Sequence, residues 1–194
     1  PSILVMTTSF IRIVIVLSFL RTAMGAQQTP PNQVLMALAL FLTFFIMSPT
    51  FEAAWEQGVR PYVDGEIEEK EAFERSLRPL QNFMQKFVRD QDLKLFMDIA
   101  NIPPVATPND IPAKVLIPAF IISELRRAFE IGFLVFIPFL VIDMVVASVL
   151  MSMGMMMLPP IIIALPFKII FFVLVDGWFL IVGSLVQSFG ALGP

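Results

Sequence analysis

Apolar positions along this chain come in long unbroken stretches separated by short polar punctuation. Residues 4–24 read as one helix, Leu4 to Met24, ending near Gly25 as helices commonly do. Gln27-Gln28-Thr29-Pro30-Pro31-Asn32 reads as a turn, with Asn32 the candidate N-cap of the next helix. Residues 33–48 are then uncharged and apolar, and Pro49 is expected to kink that helix or end it. Sixteen residues fall short of the roughly 20 that span a bilayer, which warns against a simple count of transmembrane segments.

The pattern changes between Glu52 and Asp98, a segment holding 7 of the 13 basic and 11 of the 16 acidic residues. It reads as a water-exposed lobe. Asp64-Gly65 marks a turn, and Glu66 to Asp98 reads as one or two amphipathic helices. Leu77, Leu80, Phe83, Met84, Phe87 and Val88 recur at spacings of three and four and give one apolar stripe. Asn101 to Pro112 contains four prolines and reads as a non-helical linker. Residues 113–154 form a third long helical pattern, expected to be interrupted at Pro118 and Pro138. After a Met-rich Pro-Pro break, Pro160 to Phe189 is again apolar.

Composition agrees with this layout. The 194-residue chain is 57% hydrophobic and 15% charged, with 20 Phe and 12 Met, and its mean hydropathy is +0.83. Ordinary soluble domains are about 45–50% apolar and about 25% charged, so this chain belongs in a membrane or within a large apolar assembly. A net charge of −3 without a basic cluster argues against nucleic acid. With no Cys and no His, the chain has no thiolate or imidazole ligand, no disulfide and no Ser-His catalysis. Pro1 runs directly into an apolar segment, from which a processed chain is expected, its leading residues (a signal peptide) missing.

Only three charges lie between Ile131 and Pro194: Asp143, Lys168 and Asp176. Charge at membrane depth costs roughly 2.5–3.5 kcal/mol on insertion scales, so such residues face a partner or a cavity. The midpoint of Asp143 and Lys168 falls within Met155-Met156-Met157, and a chain folding back there brings the two charges level. Lys168 and Asp176, eight apart on a helix, are too distant to bond, so Asp176 needs another partner. The trio reads either as a proton or ion relay or as a buried structural pair that fixes register. Met155, Met156 and Met157, adjacent at a break, suit a deformable seal better than a rigid core, since Met is flexible and polarizable. In Glu124-Leu125-Arg126-Arg127-Ala128-Phe129-Glu130, the spacings Glu124/Arg127 and Arg126/Glu130 suggest local ion pairs on a solvated face or an inter-subunit contact. Arg12 and Arg21 suit snorkelling to headgroups or pairing with acids on a neighbour. No nucleotide loop, carboxylate dyad or metal-ligand spacing is visible, so catalysis has no support.

Two stretches carry a family signature. One is Arg12-Ile-Val-Ile-Val-Leu-Ser-Phe-Leu-Arg21 with Gln27-Gln28-Thr29-Pro30-Pro31-Asn32-Gln33-Val34 and the apolar run to Met47-Ser48-Pro49. The other is Leu165-Pro166-Phe167-Lys168, continuing to Val173-Leu174-Val175-Asp176-Gly177-Trp178 and Gly183-Ser184-Leu185-Val186. With Ser123-Glu124-Leu125 and the Met run, they resemble the FliP family of the flagellar type III export gate, related to the SctR proteins of injectisomes. The resemblance covers essentially the whole chain. It implies a cleaved signal peptide, a homo-oligomer of about five copies with FliQ and FliR, further partners FlhB and FlhA, and unfolded protein substrates. It also implies a gasket at Met155, Met156 and Met157, intramembrane-type charges at Asp143 and Lys168, and subunit contacts at Phe83, Phe96 and Glu124.

The expected fold is all-α, with long, kinked apolar hairpins and a polar amphipathic lobe, assembling into a helical oligomeric pore. Its parts are 1–51, an apolar hairpin; 52–112, the polar periplasm-facing lobe with its linker; and 113–194, an apolar hairpin with the Met-rich gate loop. The expected function is a non-enzymatic, cofactor-free pore subunit of the bacterial inner membrane and flagellar basal body, passing unfolded flagellar proteins. Arg126 and Arg127 join the expected subunit contacts, and Asp176 the intramembrane-type charges. The alternatives are an injectisome-type gate subunit and a proton-coupled transporter subunit using Asp143, Lys168 and Asp176.

Overall fold

The computed structural model describes residues 5–26, 28–103, 110–154 and 159–190. Every regular element among them is helical: α1 (Phe10–Ala23), α2 (Asn32–Ala54), a π-helical turn (Trp55–Val59), α3 (Arg60–Val63), α4 (Glu69–Phe87), α5 (Asp90–Ile99), α6 (Ala113–Ser152), α7 (Pro160–Leu174) and α8 (Gly177–Gln187). The all-α class expected from the sequence is what the chain adopts. Two compact units form, each discontinuous in sequence: Pro1–Arg12 with Phe41–Arg127, and Ile13–Leu40 with Ala128–Pro194.

Three boundaries differ from the sequence pattern. The helix expected over 4–24 is broken: Val5 and Met6 are helical, Thr7-Thr8-Ser9 interrupts the ladder, and α1 runs from Phe10, with Leu4 outside the described residues. Thr8 Oγ1 donates to the Val5 carbonyl and accepts from Phe10 N–H, both at 3.4 Å, a local alternative to helical bonding. Pro49 does not end α2, which continues to Ala54 and through the π-helical turn. The helical stretch Asn32–Val63 is therefore 32 residues long, enough to cross a bilayer where sixteen are not. Pro118 and Pro138 likewise sit inside the 40-residue α6 without interrupting it. A proline in a helix costs about 3 kcal/mol. Packing offsets that cost, since Val115, Leu116, Ala119 and Phe120 around Pro118 and Phe139 beside Pro138 are all buried.

Asn32–Val63 and Ala113–Ser152 each hold an 18-residue window, of mean hydropathy 2.1 and 2.6, and are long and apolar enough to cross a membrane. Little of either apolar stretch is buried within the chain. α7 and α8 meet at a bend of 64° and together qualify as a broken span or a re-entrant loop.

In the first unit the stripe on α4 faces inward, with Met84 and Phe87 buried and Leu77, Leu80 and Phe83 partly so. Phe83 lies 5.0 Å from Phe87 and 6.0 Å from Phe120, centroid to centroid. At the π-helical turn, α4 approaches so closely that a Cβ on Gly58 would lie 2.0 Å from Ser76 Oγ and 2.6 Å from the Ala72 carbonyl oxygen. Only glycine fits there. In the second unit Leu20, Ala23, Met24, Phe139 and Phe172 form the core, covered by Val135, Phe136, Phe171 and Ile181.

Gly58→Ala forces α4 away from the π-helical turn, at an expected cost of about 1–3 kcal/mol. Gly183→Ala, whose Cβ meets nothing within 4 Å, is expected to be neutral or to raise stability. Thermal unfolding of the detergent-solubilised chain separates the two, and an unfolding temperature for Gly58→Ala equal to the parent's refutes the close-approach account.

Candidate functional site

α7 is apolar except at Lys168, which is only 3% exposed. Its ammonium group donates to Asp143 Oδ2 of α6 at 2.6 Å and to the Ala23 carbonyl at 3.1 Å. Ala23 ends α1, where a carbonyl has no intrahelical partner and the helix dipole is negative. Lys168 thus neutralises Asp143 and satisfies the end of α1 at once. Gly25 makes room for this arrangement by turning the chain at φ +74°, just past the helix end. Asp143 is less enclosed, its side chain 28% exposed, yet its second oxygen Oδ1 is buried and accepts no hydrogen bond among the described residues.

The pair meets across the fold-back that the sequence midpoint suggests. It ties residues 143–168 into a loop centred, in sequence, on Met155, Met156 and Met157, which themselves lie outside the described residues. Asp176 does not join the pair. It is exposed, sits immediately before α8 with φ 52°, and makes no ion pair among the described residues. Asp is one of the few residues that tolerate this left-handed backbone. Its neighbour Gly177 is required by contact, since a Cβ there would lie 2.1 Å from the Phe172 ring. The Asp176-Gly177 dipeptide is the same turn signal that Asp64-Gly65 gives, and it was the available clue to the α7–α8 break.

The first unit holds a second buried pair, which spacing along the chain did not reveal. Arg12 donates from Nε to Glu124 Oε2 at 2.8 Å and from Nη2 to Oε1 at 2.5 Å, a bidentate fork. The side chains are 1% and 0% exposed. The local Glu124–Arg127 pair expected on a solvated face or at an inter-subunit contact, and the headgroups or neighbour's acid expected for Arg12, give way to this contact within the chain. The reason is helical phase: Glu124 and Ala128 fall on the buried side of α6, whereas Arg126 and Glu130 fall on the exposed side. Arg127 is half-buried, its guanidinium 5.8 Å from the Phe87 ring centroid, and Arg12 lies 5.5 Å from the same centroid. Arg21 Nη1 donates to Asn32 Oδ1, which occupies the oxygen expected to cap α2. Phe96 is half-buried on α5. Among the described residues no three carboxylates gather as a metal site.

The family model described as "FliP family" matches residues 1–185. The chain is 62% identical over 189 residues to the flagellar biosynthetic protein FliP of Caulobacter vibrioides, covering 97% of this chain and 71% of that one. It is 59% identical to the protein of the same name from Bacillus subtilis, over 97% of this chain and 86% of the relative. Its identity to the one from Agrobacterium fabrum is 56%, over 97% and 78%.

Removing one member of a buried pair leaves a charge without compensation, at about 3–5 kcal/mol. Asp143→Ala strands the enclosed Lys168 with one carbonyl, so it is expected to destabilise at that level. Lys168→Met is expected to cost less, because Asp143 keeps part of its hydration. The double variant Asp143→Leu/Lys168→Met is expected to recover much of the loss. Thermal unfolding in detergent ranks the three, and a larger loss for Lys168→Met than for Asp143→Ala contradicts the asymmetry.

Proposed function

The chain belongs to the FliP family, and from that membership we propose that it is a pore-forming core subunit of the flagellar type III export gate. A FliP-family flagellar biosynthetic protein serves in the flagellar export apparatus, here as a membrane-embedded structural component. Beyond that, the proposal is a homo-oligomer of about five copies in the inner membrane, much of it periplasm-facing, with FliQ, FliR, FlhB and FlhA as partners and unfolded flagellar proteins as cargo. Asp143 and Lys168 act as a staple. Met155, Met156 and Met157 of each copy form a gasket that shuts the pore to small solutes and deforms around a passing chain.

The observation that carries the reading is the way the Lys168–Asp143 pair closes a loop around the Met run. A loop fastened at its base can present deformable side chains at its tip without losing the helices beneath. The exposed apolar surface of α6 adds support: Phe133, Leu134, Val141, Met144 and Val145 are more than half exposed in the single chain. Such a surface needs lipid or other subunits to cover it. Phe83, Phe96, Glu124, Arg126 and Arg127 are proposed to shape the subunit contacts, Glu124 from within the chain that bears it.

Replacing Met155, Met156 and Met157 together by Gly, in cells carrying the complete export apparatus, is expected to raise small-solute leakage across the membrane several-fold while leaving the complex assembled. An unchanged barrier in an assembled complex rejects the gasket.

A further inference from the structure

α4 and α5 are joined by two extended residues, Val88 (φ −67°, ψ 143°) and Arg89 (φ −88°, ψ 139°). Arg89 is the N-cap of α5, yet no side chain of the elbow caps that helix. Arginine is not a residue that caps well. What α6 supplies is an acceptor for the backbone N–H of the N-cap residue itself. Ser123 Oγ, fully buried, accepts the Arg89 N–H at 3.0 Å, and the Ser123 hydroxyl lies 2.7 Å from Asp92 Oδ2 and 2.8 Å from the Ala119 carbonyl. This is the chemistry of a capping box, with the residue that reaches back supplied by another helix. On the other side of the elbow, the Phe87 ring lies beside the guanidinium groups of Arg12 at 5.5 Å and Arg127 at 5.8 Å. Arg12 is in turn fixed by Glu124, the residue next to Ser123.

We propose that Ser123 and Glu124, with Arg12, form a clamp that sets the α4–α5 elbow, Ser123 holding the start of α5 and Glu124 acting through Arg12 on Phe87. The direction of α5, which exposes Leu95 and Ile99 at 50% and 64%, is then decided by two adjacent residues of α6 and one of α1. All three are positioning residues. The clamp stands on contacts inside one chain and does not depend on the pore reading.

Site-resolved hydrogen exchange on the full chain in detergent tests it. Ser123→Ala removes the acceptor for Arg89 N–H, and the amides from Arg89 to Leu93 are expected to exchange about tenfold faster, as one lost hydrogen bond allows. Those of α7 stay unchanged. Arg12→Met is expected to accelerate exchange on both sides of the elbow, from Phe87 to Leu93. Arg12→Met/Glu124→Met leaves no stranded charge but also no Arg12 guanidinium beside Phe87, so exchange from Phe87 to Leu93 is expected to stay fast. Unchanged exchange at Arg89–Leu93 in Ser123→Ala, or acceleration spread evenly over the chain, overturns the clamp. A double variant that exchanges like the parent from Phe87 to Leu93 overturns the part assigned to the ion pair. If Arg12→Met yields no folded protein, Ser123→Ala alone decides the matter.

Discussion

Lys168 is the only cation between Ile131 and Pro194, and its position constrains the second unit more tightly than any apolar contact does. Hydrophobic packing is non-directional and tolerates sliding. A buried ammonium group does not, because it must find an acceptor within hydrogen-bond distance or remain unpaired at several kcal/mol. Here the acceptors are the Asp143 carboxylate and the Ala23 carbonyl, which belong to α6 and to the end of α1. Three helices are brought into one register by one side chain. The aromatic core of Phe139, Phe171 and Phe172 then packs around an arrangement already chosen.

The first unit uses the same physics with a stronger geometry. A guanidinium–carboxylate fork fixes direction as well as distance, so Arg12 and Glu124 specify how α1 meets α6. Burying such a pair gains little net stability compared with an apolar replacement. Its value lies in excluding other registers, which matters in a chain whose long helices are apolar on nearly every side. Uniformly greasy surfaces match one another in many ways, and a few charges remove most of them.

Those same helices leave much of their apolar surface uncovered by the chain itself. For a membrane-embedded component of the flagellar export apparatus such a surface fits, since lipid rather than water is the solvent. Fold and assembly are therefore separable. Polar contacts inside the chain set its internal geometry, while exposed Phe, Leu and Val remain available to whatever surrounds it.

The sequence by itself determined the helical class and the inward stripe of α4, because periodicity is a local property. It also brought Asp143 and Lys168 together, since two lone charges in an apolar region have few other partners. The family was legible too, in motifs running through both ends of the chain. Only the tertiary structure decided that helices run through Pro49, Pro118 and Pro138, because the packing that offsets a proline's cost involves residues far away in sequence. It alone paired Arg12 with Glu124 across 112 positions, where Glu124 had Arg127 nearer on its own helix and Arg12 had no acid on its helix at all. It set Asp176 apart at a turn, although composition grouped it with the other two charges. In each case local pattern fixes what a residue can do, and three-dimensional proximity selects which partner it does it with.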